Sequence, residues 1–236
     1  MTNPKFSIII PAFNEADHIA AAVKALKAQT VARESFEIIV VDNGSLDGTG
    51  SRALWAGADR VIVEARQGTN FARQRGLEES AGEIVAFIDA DCIPPTGWLA
   101  RIGRLLADPS VKAVSGPCDF GFRGLARLVD RIYVRNIFPV LDRLLHLVFR
   151  KRAGVIMGGN FAAHRTTLEQ IGGFPPFEFH GDDSAVAMLI SRRVGPVMFC
   201  PDLRVASSPR RFESEGHLRL TLVYAWYYLK NFFMIR

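Results

Sequence analysis

Short apolar runs recur along the chain and are separated by longer segments with helical periodicity. The main runs cover 6–10, 36–41, 61–63 and 84–88. They are rich in β-branched and aromatic residues, and the last contains no polar residue, which is typical of a strand buried on both faces of a parallel sheet. Their alternation with helical segments predicts an α/β fold of the Rossmann-like kind, with a mostly parallel central sheet flanked by helices.

Single residues set the expected ends of these elements. Pro11 is expected to end the first strand, because proline cannot donate a hydrogen bond within a sheet. Asn14 is a suitable N-cap for the first helix. Further strands are expected at 111–116 and 197–205.

Composition and charge narrow the class of protein. The chain has 236 residues, of which 49% are apolar, and one α/β domain is the simplest interpretation. The net charge of +5 fits a phosphate-bearing ligand, an anionic membrane surface or a nucleic acid. No nucleic-acid recognition motif is present, so we expect no nucleic acid partner.

Cysteine spacing and hydropathy bear on the expected compartment. The three cysteines are an odd, sparse set with no C-x-x-C spacing, which supports neither a disulfide framework nor a zinc site and favours a reducing cytosol. No signal peptide and no apolar run of about 18 to 20 residues is visible. We therefore expect a cytoplasmic protein, peripheral at the inner face of the plasma membrane if its basic segments meet lipid.

Two carboxylates follow the most apolar strand. Asp89 and Asp91 come directly after 84–88, and Pro94 and Pro95 prevent the strand from continuing. Alternation places both side chains on one side, at the edge where ligands bind in open α/β sheets. A hard divalent cation suits such a pair, since Mg²⁺ usually takes one or two protein carboxylates and completes its shell with phosphates. The alternative is a solvated acidic turn.

The first strand is not followed by a phosphate-binding glycine loop. Neither G-x-G-x-x-G nor G-x-x-x-x-G-K-[ST] occurs there, which argues against a nicotinamide-dependent enzyme and a P-loop NTPase. Acidic and Asn side chains at successive strand ends suit a base and a ribose. The phosphates of a nucleotide would then require the metal.

Four segments in this order resemble one enzyme family. They are S-I-I-I-P-A-F-N-E-A, V-V-D-N-G-S-L-D-G-T, A-R-Q-R-G-L-E-E-S-A-G-E-I-V-A-F-I-D-A-D and G-G-F…G-D-D. Together they resemble the family 2 glycosyltransferases of the GT-A fold over roughly residues 5 to 200. The resemblance implies a nucleotide-sugar donor, a divalent cation (Mg²⁺ or Mn²⁺) and an inverting, single-displacement transfer.

The same resemblance implies roles on the nucleoside side. Pro11, Ala12 and Glu15 fall where the family's first loop touches the nucleoside. Asp42 falls where a carboxylate recognises the base, usually uracil, with a plain turn residue as the alternative. Asn43 departs from the commoner D-D-G-S pattern, because it replaces a second carboxylate.

Roles near the diphosphate also follow from the resemblance. Arg73 matches a basic residue near the diphosphate, with Arg66 as a second candidate and a solvated helix residue as the alternative. Asp89 is expected to face the ribose and the metal, and Asp91 to ligate the metal directly.

The second half carries the expected acceptor-side residues. Gly159 and Asn160 are expected close to the ligand, because glycine lets the backbone approach a sugar. Asp183 matches the family's base for the acceptor hydroxyl, and Asp182 replaces the usual Glu; alternatively both only cap a helix. The pair Arg210 and Arg211 would bind the diphosphate or a phosphate on the acceptor, or form a plain surface pair.

Two amphipathic segments could contact either a membrane or another protein surface. Residues 121–152 combine apolar residues at helical spacing with many arginines and are predicted to form inserted basic helices, and 213–236 form an aromatic tail. Both suit a membrane interface, yet packing on the domain or in a dimer explains them equally well. We expect a domain over 1–212, with a nucleotide-sugar half to about 115 and an acceptor half from about 116. The oligomeric state is not predicted.

The leading hypothesis is an inverting, metal-dependent glycosyltransferase. Its acceptor would be a lipid-linked or polysaccharide-type hydroxyl. The alternative from another class is a catalytically silent nucleotide-sugar-binding regulator on the same fold. Retention of Asp89, Asp91 and Asp183 counts against that alternative.

Overall fold

The structure is a computed structural model that describes residues 4–121, 140, 147, 154–176 and 182–235, without the side chains of Asp182, His217 and Leu218. Most of the basic segment expected at 121–152 lies outside the described residues. The strands of the main sheet are β1 (Phe6–Ala12), β2 (Phe36–Asp42), β3 (Arg60–Val63), β4 (Ile84–Ile88), β6 (Ala113–Ser115), β8 (Asn160–His164) and β9 (Val197–Phe199). Three short strands form a second sheet, namely β5 (Cys92–Ile93), β7 (Cys118–Asp119) and β10 (Val205–Ser207).

Helices join these strands. The described helices are α1 (Ile19–Lys27), α2 (Thr49–Ala56), α3 (Thr69–Glu79), α4 (Trp98–Leu105), α5 (Arg165–Gln170), α6 (Asp182–Arg193), α7 (Arg210–Glu215) and α8 (His217–Met234). A short 3₁₀ turn precedes β2. Helices cover both faces of the main sheet, as the apolar strands require.

The main sheet has the strand order β3-β2-β1-β4-β8-β6-β9. All of its neighbouring strands are parallel except where β8 pairs antiparallel with β4 and β6. Within β1, Ile8 and Ile10 pack into the layer of α1 and α4, whereas Ile9 packs into the layer of α3 and α6. The structure therefore confirms the predicted α/β class, with a mostly parallel sheet buried on both faces.

Three predicted boundaries are wrong. β1 continues through Pro11 to Ala12, because the Ala12 carbonyl accepts from Asn43 N on the β2 side, which turns Pro11 toward β4. The β1–β4 pairing has already ended at Ile9, so the missing N–H costs no ladder bond. Asn14 does not cap α1.

Asn14 instead adopts a left-handed conformation with φ of 53°, and α1 begins five residues beyond it, at Ile19. Its backbone N–H donates to Ser45 Oγ and its side-chain oxygen accepts from Leu46 N, so it joins the β1 and β2 loops. The strand expected over 197–205 is two strands, β9 and β10, which belong to different sheets.

Helix α8 packs one face on α6. Asn231 Nδ2 donates to Ser184 Oγ at 2.8 Å, and Arg192 Nη2 donates to the Phe232 carbonyl at 2.9 Å. The opposite face exposes apolar side chains, namely Leu222, Trp226, Leu229, Phe233 and Met234. Within the described ranges, no helix has the length and hydrophobicity to cross a bilayer.

Candidate active site

The carboxyl ends of three neighbouring strands bring the predicted nucleotide-side residues together. β1 lies between β2 and β4, so Pro11 and Ala12 at its end are flanked by Asp42 on one side and the segment with Asp89 and Asp91 on the other. Parallel strands end at the same edge, which explains how residues so distant in sequence share one cleft.

Asp89 is held by a buried arginine. Arg73 Nη2 donates to Asp89 Oδ1 at 3.0 Å, and the Arg73 side chain is only 4% exposed. The interpretation of Arg73 as a solvated helix residue is therefore wrong. Its guanidinium approaches Asp89 from the interior of the domain and orients that carboxylate.

Asp91 lies in a less solvated and more negative environment. Its side chain is 17% exposed, and burial raises its pKa to about 6, with the charge of Asp89 adding to the effect. Arg210 opposes this rise, since its Nε lies 3.7 Å from Asp91 Oδ2. Arg210 also forms an ion pair with Glu15. The carboxylates of Asp89, Asp91 and Glu15 thus lie close together in the cleft, where a cation would stabilise their negative charge.

The oxygen donors of this cleft fit a hard divalent cation. No group of three or more acidic, His or Cys side chains suited to a metal occurs in the part of the chain that the structure describes. Two carboxylates are nevertheless the usual protein contribution to a Mg²⁺ shared with substrate phosphates. Burial and the charge of Asp89 raise the pKa of Asp91, so a cation beside this carboxylate would favour its ionised form.

Asp42 and Asn43 have different surroundings at the end of β2. Asp42 is half-buried and its Oδ1 accepts from Ser45 N at 2.8 Å. Asn43 is 4% exposed, and its Nδ2 donates to the carbonyls of Glu64 and Arg66 at 2.9 and 2.7 Å. The departure from the family pattern at Asn43 thus serves the folding of the 64–68 loop.

Arg66, the second candidate for the diphosphate, is paired within that loop. Its guanidinium makes two bonds of 2.9 Å to the Glu64 carboxylate. This side-chain pairing lowers the pKa of Glu64 to about 2. The Arg66 side chain remains 59% exposed and lies over the Phe71 ring.

Gly158 and Gly159 join the two sides of the cleft. A Cβ at Gly159 would lie 2.7 Å from Asp89 Oδ2, and one at Gly158 would lie 2.9 Å from Arg73 Nη2. The Gly158 N–H donates to Asp183 Oδ2 at 3.2 Å. Asp183 and Asp89 therefore border neighbouring glycines, and at the start of α6 the Asp183 Oδ1 also accepts from Ser184 N at 2.7 Å.

Asn160 contributes to the scaffold. It is fully buried, its Oδ1 accepts from Trp98 Nε1 at 2.9 Å, and its Nδ2 donates to the Leu203 and Pro117 carbonyls. These bonds use its side-chain oxygen and nitrogen and leave neither for a ligand. The expected direct contact of Asn160 with a ligand is therefore corrected: Asn160 links β8 to α4 and to the segments around the second sheet.

The remaining predicted residues lie near α7 and α8. Arg211 pairs with Glu215 at 3.1 Å and lies over the Tyr224 ring, 5.9 Å from its centroid. The backbone of Asp182 begins α6, and its side chain lies outside the described atoms. The motifs did not identify Tyr224 as a site residue.

Tyr224 is close enough to the cleft to be influenced by it. Burial raises its pKa, and the charges of Asp183 and Asp89 raise it further. No sequence signal near Tyr224 connects it with these residues, because the contact depends on how α8 packs on α6.

Comparison with known proteins identifies the family of this chain. The model of glycosyl transferase family 2 matches residues 7–172. The chain is 31% identical over 187 residues to glycosyltransferase AglE of Haloferax volcanii, covering 77% of this chain and 60% of that protein. It is 32% identical over 184 residues to the glucosyl-3-phosphoglycerate synthase of Mycolicibacterium paratuberculosis, covering 70% of this chain and 54% of that protein.

Solved structures give the same result. The mannosyltransferase PcManGT from Pyrobaculum calidifontis, in complex with GDP-Man and Mn²⁺, matches with a TM-score of 0.76 and 28% identity over 98% of this chain and 64% of that one. The glucosyl-3-phosphoglycerate synthase from Mycobacterium tuberculosis, in complex with Mn²⁺, UDP and glucosyl-3-phosphoglycerate, matches with a TM-score of 0.69 over 97% of this chain and 80% of that one. At 23% identity, the latter shows the fold alone.

This chain covers only part of the length of its curated relatives. This chain spans 60% and 54% of the two curated relatives, so their whole activity is not transferred with the fold. The family model, in contrast, covers most of the chain and includes the ends of β1, β2 and β4 together with the Gly158–Gly159 pair. These findings confirm the resemblance of the four sequence segments, and the chain belongs to glycosyl transferase family 2.

Proposed function

We propose that this chain is an inverting, metal-dependent glycosyltransferase that moves a sugar from a nucleotide-sugar donor to an acceptor hydroxyl. The observation that carries the proposal is the arrangement of carboxylates around Gly158 and Gly159. Gly159 lies against Asp89, which is two residues from Asp91, and the neighbouring Gly158 N–H donates to Asp183, so both ends of the proposed reaction centre border the same glycine pair. Inversion needs the leaving diphosphate and the base on opposite faces of the sugar.

The nucleoside would bind at the ends of β1 and β2. Pro11, Ala12 and Glu15 would line it, and Asp42 would contact the base. The similar Pyrobaculum calidifontis structure contains GDP-Man, whereas the similar Mycobacterium tuberculosis structure contains UDP. We therefore propose a nucleoside diphosphate sugar and test uracil and guanine donors side by side.

The diphosphate of the donor would lie near Asp89 and Asp91. Asp91, with Asp89 beside it, would hold a divalent cation (Mg²⁺ or Mn²⁺), which supplies charge neutralisation for the leaving diphosphate. Mn²⁺ is present in both of the similar structures named above. Arg73 would keep Asp89 in position through its 3.0 Å bond, and Arg210 and Arg211 would add positive charge from α7.

Asp183 would remove the acceptor proton. The hydroxyl must lose this proton as its oxygen attacks the anomeric carbon, so a carboxylate is needed within about 3 Å of it. The bonds from Gly158 N and Ser184 N hold the Asp183 carboxylate in one orientation. Asp182 would take the position of the family's Glu on the acceptor side. The glycine pair lets the sugar lie against the backbone between the two groups.

The exposed surface of α8 bears on which acceptor the protein uses and where it meets it. We propose a lipid-linked or polysaccharide-type acceptor of the cell envelope, met at the cytoplasmic face of the membrane. The exposed face of α8 supports this, because Trp226, Leu229 and Phe233 lie on one side of a helix whose only charged side chains are Arg219 and Lys230. The domain would extend over 1–212, with 213–236 as the contacting tail.

Hydrolysis of donor sugars tests the function. Purified protein is incubated with a panel of UDP- and GDP-sugars in the presence of Mn²⁺ or Mg²⁺, and release of the nucleoside diphosphate is measured. We expect metal-dependent release from at least one donor, and much slower release with Asp91→Asn or Asp183→Asn. Metal-dependent binding of a donor with no release or transfer under any condition would favour a silent sugar-binding regulator.

A further inference from the structure

Helix α7 lies at the surface of the domain, above the cleft. None of its residues is buried, and Gly216, with φ of 85°, separates it from α8. Its described contacts with the cleft are the ion pairs of Arg210 with Glu15 and Asp91. The Phe212 ring packs edge-on against Phe120, with a centroid distance of 4.8 Å. The charge of the cleft therefore contributes to holding this six-residue helix.

Arg210 lies where a cation is required. Asp89 already has Arg73 as its partner, whereas Asp91 and Glu15 are 17% and 14% exposed and both face Arg210. Burying such carboxylates without a positive partner is costly. In this structure the guanidinium supplies the positive charge beside Asp91 that a divalent cation would supply in the loaded protein.

We propose that Arg210 is an exchangeable counterion, which neutralises Asp91 and Glu15 in the metal-free protein and is displaced when a divalent cation binds. The displaced side chain, with α7, then becomes available to the donor diphosphate. This inference rests on the proposed function, because it assumes the cation site at Asp91. It makes Arg210 a binding residue that couples cation binding to donor binding.

If Arg210 exchanges with the cation, removing its charge should change the metal affinity and the nucleotide affinity in opposite directions. Removing the positive charge of Arg210 eliminates a competitor of the cation, so the metal should bind more tightly to the protein alone. The same change removes a donor of charged hydrogen bonds to the diphosphate, so the nucleotide should bind more weakly. A residue that only maintains the fold would weaken both.

Direct binding measurements test this opposite change. Mn²⁺ binding to nucleotide-free protein is followed by electron paramagnetic resonance of the free ion, and binding of UDP and GDP at saturating Mn²⁺ by calorimetry. For Arg210→Gln we expect Mn²⁺ affinity to rise by about three- to tenfold and nucleotide affinity to fall by a similar factor, as for a partly exposed ion pair. Arg210→Lys keeps the charge and should restore Mn²⁺ affinity to near the wild-type value.

A matched variant controls for the loss of a surface charge. Arg101 on α4 pairs with Asp202 at 2.9 Å. Arg101→Gln removes this arginine and should leave the affinities for Mn²⁺ and for the nucleotide unchanged. Unchanged or weaker Mn²⁺ binding by Arg210→Gln would overturn the exchange. Wild-type protein that binds no Mn²⁺ even with nucleotide present would instead refute the metal site of the proposed function, and the exchange with it.

Discussion

The carboxylate proposed to hold the metal should destabilise the metal-free protein. The ordinary pKa of Asp91 is 3.8, and burial together with the charge of Asp89 raises it to about 6 in the folded chain. The folded state therefore favours the protonated acid. Its contribution to stability is fully present below pH 3.8 and is lost as the pH rises through about 6.

The size of this effect follows from the pKa difference. Each pKa unit corresponds to 1.36 kcal/mol, so a difference of about two units gives about 3 kcal/mol of lost stability at pH 7. Asp91→Asn removes the charge and keeps the shape, although Arg210 then loses one of its two partners. We expect the metal-free variant to be about 1–3 kcal/mol more stable than wild type at pH 7.

Urea denaturation in the presence of a chelator measures this difference. The stabilising effect of Asp91→Asn should be present at pH 7 and shrink as the pH falls from 6 to 4, because wild-type Asp91 then becomes protonated. Asp202→Asn is the control, since Asp202 is 77% exposed and should show no comparable gain. A variant less stable than wild type at pH 7 would refute the reasoning, because the ionised Asp91 would then stabilise the fold.

Three further predictions concern the base, the scaffold and the membrane. Asp183→Asn should lower donor turnover by about 10² to 10⁴ while nucleoside diphosphate affinity by calorimetry stays unchanged; near-normal turnover would assign the base elsewhere. Asn160→Ala should lower the free energy of unfolding in urea by about 2–4 kcal/mol, because Trp98 Nε1 and the Leu203 carbonyl lose their buried partner, and a cost below 0.5 kcal/mol would contradict this. Co-sedimentation with anionic vesicles should weaken with salt, because exposed charges are screened over about 8 Å at physiological ionic strength. It should also weaken with Trp226→Ala but not with Trp55→Ala, which removes a more exposed tryptophan on α2.

The sheet and the position of the cleft could be predicted because they depend on local patterns. The 84–88 run has no polar residue and coincides with β4, and the two aspartates after it lie at the sheet edge where parallel strands end. Pro11 and Asn14 were predicted wrongly because their local preferences were overridden by neighbours. At Pro11 the pairing with β4 had already ended, and at Asn14 the β2 loop supplied partners for a left-handed conformation.

Contacts between distant segments could not be predicted from the chain. Trp98 and Asn160 are 62 positions apart, and their bond depends on where α4 packs against β8. Glycine and asparagine next to one another looked like ligand-contacting residues, yet only the glycines border the cleft. The place of Tyr224 and Arg210 depends in the same way on the path of the chain after β10.

The departure of Asn43 from the family's pattern is explained by the loop that its side chain holds. Compared with the family's pattern, it looks like a carboxylate lost from the nucleotide site. Asn43 follows the last residue of β2, however, and at 4% exposed its side chain is enclosed by the protein. The Asn43 amide donates to two backbone carbonyls of the 64–68 loop, and a carboxylate has no hydrogen to donate. The substitution therefore changes how a loop is held, and the residue expected to contact the base remains Asp42.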